Sequence, residues 1–240
     1  MDVEPIGYIE SCYPDKFGTP RQPGLVKESW ARLRVDRKFQ PEQAFEGLSG
    51  FSHVWLIFVF HQNSNLRYHA KVHPPRMGGD SIGVFASRSP HRPNPIGLSL
   101  VELEKIEGDS LILRGSDLID GTPILDIKPY LPEVESIPNA RAGWTSELGP
   151  QNKSVIFSTE QLEILEKWSA RISQPQLKEL IVETLKLDPR PLVYRGNEGN
   201  SEQNYRSQHA VRFFDGDVHF RFISPLAIEV LHIKLNGLNI

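Results

Sequence analysis

The sequence predicts a mainly β fold with an α+β extension. A small β-barrel-type N-terminal domain covers residues 1–148, and a smaller α+β C-terminal domain covers 149–240. Three observations carry this. Short apolar segments with β-strand spacing recur as far as Tyr130, each bounded by Gly, Pro or Asp. Beyond residue 150 the period changes to that of amphipathic helices. A Gly-containing hairpin signal then closes the chain. At 240 residues the chain is long enough for two cores.

Residues 5–12 read as a strand and Pro14–Gly24 as a loop. Leu33, Val35, Arg37 and Phe39 alternate apolar and polar, which predicts a half-buried strand over 33–39. Phe45–Leu48 reads as a short helical turn. Phe51–Phe60 is aromatic and β-branched without a breaker, so it reads as a fully buried strand. Ile82–Ala86 is a further short strand. Leu98–Ile106 and Ser110–Arg114 form a hairpin through Glu107-Gly108-Asp109, and Leu125–Tyr130 follows the turn Asp120–Pro123. In the second domain, Ser158 with Gln161 makes a capping box for a helix to Ala170, and Ser173 with Gln176 repeats it. Leu177, Leu180, Ile181 and Leu185 share one face of the next helix, which Asp188-Pro189 stops. Asp215-Gly216 joins two strands that set phenylalanines on one face and Arg212 and Arg221 on the other.

Composition narrows the function. Hydrophobic residues are 39% and charged residues 24% of the chain, as in ordinary soluble proteins. The single cysteine, Cys12, excludes an internal disulfide and a cysteine-based zinc site, fits a cytoplasmic setting, and reads as a small buried side chain. Met1–Glu4 lacks the apolar region of a signal peptide, and the longest apolar run, Val54–Phe60, cannot span a membrane. His69 and His73 are four apart, but Pro74-Pro75 interrupts any helix through them and no H-E-x-x-H occurs, so no metal is expected. No G-x-G occurs, which excludes the dinucleotide fingerprint and its glycine-rich relatives. Net charge is −3, yet 67–92 holds five Arg or Lys, three His and one acid. Such a patch binds phosphate locally, or is a solvated loop.

Two segments concentrate chemistry. Arg88-Ser-Pro-His-Arg-Pro-Asn-Pro-Ile-Gly97 presents two Arg, a His and an Asn on a proline-stiffened backbone. Such stiffness lowers the entropy lost on binding; the alternative is a crossover whose arginines cap carbonyls. In Asp117–Tyr130, Asp120 and Thr122 suit a turn, whereas Asp126 lies in an apolar strand and needs a partner or ligand. Lys128, on the same face, or Arg88 would supply an ion pair.

Taken together, Pro20-Arg-Gln-Pro-Gly24, Phe51-Ser-His-Val-Trp55, Phe58-Val-Phe-His-Gln62, Gly83-Val-Phe-Ala-Ser-Arg-Ser-Pro90, Arg92-Pro-Asn-Pro-Ile-Gly97 and Asp120-Gly-Thr-Pro-Ile-Leu-Asp-Ile-Lys-Pro-Tyr130 resemble the TsaA/TrmO family. Asp188-Pro-Arg-Pro191 with Tyr194-Arg195 resembles its longer bacterial form. Ser87 stands where many relatives carry Thr. The resemblance implies an S-adenosylmethionine (SAM)-dependent tRNA methyltransferase acting on N6 of threonylcarbamoyladenosine beside the anticodon of threonine tRNA, a homodimer, and SAM in a pocket of the barrel. Carried over by position, Pro20, Arg21, Gln22, His61, Gln62, Arg88, Leu98, Asp120, Gly121, Thr122, Pro123, Ile124, Leu125 and Asp126 would bind SAM. Asp126 and His91 are candidates for a general base. Arg67, Lys71, Arg76, Arg92, Arg190 and Arg195 are candidate tRNA contacts, with Arg206, Arg212 and Arg221 as further cations. Two other functions suit the same residues: a SAM-binding barrel with a different acceptor, and a non-enzymatic RNA-binding module.

Overall fold

The computed structural model describes residues 2–63, 68–74, 77, 79–145, 153–190, 194–195 and 207–236. The chain divides into two compact units. One comprises Met1–Glu10, Trp30–Ser116 and Gly121–Pro150; the other comprises Ser11–Ser29, Asp117–Asp120 and Gln151–Ile240. The expected boundary at 148/149 lies outside the described residues. Within them, no helix is long and apolar enough to cross a membrane.

The first unit is built on β1 (Gly7–Ser11), β2 (Trp30–Val35), β3 (His53–Val59), β4 (Lys71–Val72), β5 (Ile82–Gly83), β6 (Ile96–Glu107), β7 (Ser110–Arg114) and β8 (Pro123–Pro129), with the short helices α1 (Pro41–Ala44) and α2 (Pro132–Glu135). Six strands close into a barrel in the order β1-β2-β7-β6-β3-β8, and β4 pairs with β5. The buried side chains of Ile9, Leu33, Val54, Leu56, Phe58, Val101, Leu111, Leu113 and Ile124 form its core. Gly97 faces Phe58 across β3 and β6, and a Cβ there would come within 2.2 Å of the Phe58 ring. The bare backbone is what admits that ring.

Three sequence expectations shift here. Strand β2 ends at Val35 because the Asp36 side chain accepts from Lys38 N and starts a 3-10 turn over Arg37–Phe39. Strand β3 is buried on alternate residues, not throughout, because only one face of a barrel strand looks into the core; the apolar side chains on its other face are half-buried. Only Ile82–Gly83 of the 82–86 segment is strand, and Val84–Ala86 is a 3-10 turn.

The second unit packs α3 (Thr159–Arg171) and α4 (Leu177–Lys186) with a four-stranded sheet, order β10-β11-β12-β9, made of β9 (Ser154–Ile156), β10 (His209–Phe213), β11 (Gly216–Ser224) and β12 (Ala227–Leu235). Ser158 Oγ accepts from Gln161 N as the capping box requires, but Gln161 Oε1 accepts from Ile233 N of β12 at 2.8 Å. The expected second box is absent: α4 has no side-chain cap, and Ser173 is left-handed at φ 56°. Leu177, Leu180, Ile181 and Leu185 are buried as predicted. Cys12 and Tyr13 join this core, and Cys12 is fully buried.

Candidate functional site

On the outer wall of the barrel, Ile57 of β3 pairs with Leu98 of β6 on one side and Asp126 of β8 on the other. A register shift makes that row. Phe58 opposes Ile124 and Ile57 opposes Asp126, so Leu125 is the extra residue of a β-bulge. The bulge reverses the in–out phase of β8, leaving Ile124 inside and turning Asp126 out. Asp126 is therefore half-exposed, and its carboxylate accepts from Lys128 Nζ at 2.8 Å and from Ile127 N at 2.9 Å. The hydrogen bond and charge of Asp126 raise the Lys128 ammonium above its ordinary pKa. Leu98 is 51% exposed. The barrel interior is occupied by core side chains, so a ligand meeting Leu98 and Asp126 would lie against the outside of the wall rather than within the barrel.

His61 and Gln62 follow where β3 ends. His61 N donates to Val59 O at 2.8 Å. A Cβ at Gly121 would stand 3.9 Å from His61 Nε2, and Gly121 has φ 75°, so a glycine turn faces the imidazole. Thr122 and Ile124 are buried, and Pro123 and Ile124 pair with Tyr8 and Gly7 of β1. Those three positions shape the backbone, and the side chain of Ile124 belongs to the core.

The proline-rich loop is pinned from several sides. Arg92 Nη1 donates to Ser87 O at 2.8 Å and Val84 O at 3.3 Å. Asn63 Nδ2 donates to Pro90 O at 3.2 Å, and Phe60 N to Pro95 O at 2.8 Å. Trp144 Nε1 donates to Ala86 O at 2.9 Å. Arg92 thus takes the carbonyl-capping role and is partly buried, while Arg88 is exposed. The His91 ring meets His69 edge-on at 5.6 Å, and its Nδ1 is buried with no hydrogen-bond partner among the described residues. The Asn63 and Trp144 contacts reach across 27 and 58 positions, and no local sequence pattern signals them.

The remaining carried-over residues belong to the second unit. Pro20 is buried, Arg21 exposed and Gln22 half-buried. Asp120 Oδ1 accepts from Ser11 N at 2.8 Å, and Asp120 N donates to Tyr13 O, so this carboxylate holds a turn.

Two candidate tRNA contacts are engaged within the protein. Arg190 is 4% exposed; its Nε and Nη2 donate to the two carboxylate oxygens of Asp188 at 2.8 and 2.9 Å, and its guanidinium lies 3.4 Å from the centre of the Phe222 ring. Arg195 Nη2 donates to Asp188 O and Arg190 O. Both arginines tie together the end of α4, because a buried carboxylate and its neighbouring carbonyls need those donors. Arg212 and Arg221 are on the outer sheet face as expected, paired with Asp217 at 3.0 Å and Glu229 at 2.6 Å. Lys71 is exposed on β4. Arg67, Arg76 and Arg206 lie outside the described residues, among which no group of three or more His, Cys, Asp or Glu could hold a metal.

The family model of the tRNA-methyltransferase O N-terminal domain matches residues 8–136, and that of the TrmO C-terminal domain matches 150–236. A tRNA (adenine(37)-N6)-methyltransferase of Escherichia coli K12 is 47% identical over 242 residues, covering 98% of both chains. A Pseudomonas aeruginosa protein, designated by inference an S-adenosylmethionine-dependent methyltransferase, is 42% identical over 96% of both chains. The crystal structure of TrmO from P. aeruginosa superposes with a TM-score of 0.80 at 38% identity, covering 98% of this chain and 97% of that one.

Proposed function

The chain belongs to the tRNA-methyltransferase O family, and on that premise we propose that it methylates N6 of threonylcarbamoyladenosine at position 37, beside the anticodon of threonine tRNA, as a cytoplasmic homodimer. It is a SAM-dependent tRNA methyltransferase. The observation that carries the reading is the pinned Arg88–Gly97 loop running directly into the outward row of Leu98, Ile57 and Asp126.

These residues fit SAM. The exposed Arg88 guanidinium suits a carboxylate, which it can hold through two parallel hydrogen bonds. Exposed Leu98 offers apolar surface to a purine, and backbone groups beside it can read the purine edge. Asp126 and the Gly121 turn before His61 suit an ammonium and ribose hydroxyls. Bound SAM supplies the methyl group. The acceptor nitrogen is part of a urea-like group with a delocalised lone pair, so the protein's tasks are in-line positioning and removal of the N6 proton. Of the two candidate bases, Asp126 already accepts from Lys128 and Ile127, while His91 Nδ1 is buried with no partner among the described residues. Both residues stay candidates to hold that proton, and their variants separate them.

Incubating the protein with methyl-labelled SAM and total tRNA, then digesting to nucleosides, tests the proposal. Label in N6-methylated threonylcarbamoyladenosine is expected. SAM binding without transfer to RNA would establish a different acceptor, and RNA binding without SAM binding a non-enzymatic module. Sedimentation of the same preparation tests the dimer.

A further inference from the structure

Beside the Arg88 loop, one large aromatic side chain faces solvent on a rigid frame. Val84 and Phe85 are neighbours in one 3-10 turn, yet Val84 is 1% exposed and Phe85 73%. The backbone on either side of the ring is held. Val84 N donates to Ala70 O at 3.0 Å, and Ser87 Oγ and Arg92 Nη1 donate to Val84 O. Trp144 Nε1 donates to Ala86 O, and Arg92 Nη1 donates to Ser87 O. The ring is thus presented by a locked turn, and pre-organisation of this kind favours binding.

Its surroundings are cationic. The Arg92 guanidinium lies 5.8 Å from the centre of the Phe85 ring. Lys71 opposes Gly83 in the β4–β5 pair, two residues before Phe85, and exposed Arg88 is three residues after it. Asp80 is the one acid in the sequence between Tyr68 and Gly97. Where protein copies meet, aromatic residues and arginine are enriched but lysine is depleted, and Lys71 is exposed opposite Gly83. An aromatic face among cations instead suits a nucleobase flanked by phosphates, because every base has a π-face and the backbone charge is negative.

We propose that Phe85 is the platform on which a base of the RNA acceptor stacks next to the methyl-donor loop, with Lys71 and Arg92 attracting the flanking phosphates. This rests on the reading of tRNA as the substrate, and goes beyond it by assigning a positioning residue for the acceptor. The test uses a synthetic anticodon stem-loop carrying 2-aminopurine on the 3′ side of adenosine 37. Wild-type protein should quench its emission on binding. Phe85→Leu should abolish the quenching and weaken binding about ten-fold, within the range one base–aromatic stack supplies, with the SAM affinity and melting temperature of the wild type. Phe85→Tyr should restore both RNA signals. Wild-type affinity for the stem-loop in Phe85→Leu would overturn the proposal, as would weaker binding accompanied by a change from dimer to monomer, which would assign the ring to a contact between copies. If Phe85→Leu fails to fold, the wild-type signal decides, and unchanged emission on binding overturns the proposal. Failure of the substrate reading shows separately, as absence of methyl transfer to tRNA by the wild type.

Discussion

Arg190 grips both carboxylate oxygens of Asp188 from two positions away, with the two side chains 4% and 6% exposed. Removing one partner of such a pair leaves a buried charge without compensation, at a cost of about 3–5 kcal/mol. Arg190→Ala should therefore lower the melting temperature strongly. Charge removal at Arg190 and Arg195 together should leave the salt dependence of tRNA binding unchanged in whatever protein remains folded, because no phosphate contact is lost. A reduced salt slope at an unchanged melting temperature would show that the arginines leave Asp188 to meet RNA.

The same pair sets an acid limit on stability. Burial pushes the Asp188 carboxyl upward, but the hydrogen bonds and charge of Arg190, helped by Arg195 and Lys153, outweigh it and hold the carboxyl below its ordinary value. A carboxyl depressed in the folded state stabilises the fold fully above the unfolded pKa of about 3.9, and that contribution is lost as pH falls through the lower folded value. Unfolding free energy from urea titrations between about pH 3 and 6 should fall more steeply with acid in the wild type than in Asp188→Asn. Parallel profiles would contradict this linkage.

Local rules made much of this fold legible in the sequence. Ser158 caps α3, Gly108 turns the β6–β7 hairpin at φ 59°, and the apolar face of α4 is buried. What was not legible depends on distant partners. The side-chain oxygen of Gln161 could accept from the Ser158 N–H of the capping box or from a distant donor, and the Ile233 N–H of β12 takes it. Arg190 looks like a surface cation until Phe222 supplies a ring beneath its guanidinium. Of the two expected partners of Asp126, Lys128 is the one that pairs with it, but the outward turn of Asp126 needs the bulge at Leu125, which a period of two cannot reveal. The segment Ser11–Ser29 joins the second unit through contacts such as Tyr13 Oη with Thr184 Oγ1, 171 positions away.

Two arginines of one loop should separate binding from architecture. Arg88 is exposed, so Arg88→Ala should weaken SAM binding by about 1.5–3 kcal/mol, the range for a charged hydrogen bond, with little change in melting temperature. Arg92 Nη1 caps Val84 O and Ser87 O, so Arg92→Ala should lower the melting temperature as well. Calorimetric titration with SAM beside thermal unfolding distinguishes them. If Arg88→Ala alone destabilises the protein and binds SAM normally, the roles are reversed.

Gly97 is a packing requirement of the barrel. A Cβ at this position would fall 2.2–2.6 Å from three atoms of the Phe58 ring, which must move or distort its strand. Overpacking of this sort costs about 1–3 kcal/mol. Gly97→Ala should be destabilised by that amount in urea unfolding, and adding Phe58→Leu should recover part of the loss. Independent, additive effects of the two substitutions would show that they do not share the space.

The two candidate proton acceptors make opposite demands on kinetics. Asp126 lies on the outer wall with both carboxylate oxygens engaged, one by Lys128 and one by Ile127 N. A carboxylate so placed suits an electrostatic contact with a bound ammonium, which is made before and during the reaction alike. Asp126→Asn should then raise the Kd for SAM more than it lowers kcat. His91 is carried by the pinned loop that precedes Leu98, and its Nδ1 is buried with no partner among the described residues. His91→Gln should lower kcat for methyl transfer by about a hundred-fold, the lower range for a positioned acid–base group, and leave the Kd for SAM nearly unchanged. Measuring Kd by calorimetry and kcat with saturating tRNA separates the cases. A His91→Gln protein with wild-type kcat, or an Asp126→Asn protein with wild-type Kd and a collapsed kcat, would transfer the proton-accepting role to Asp126.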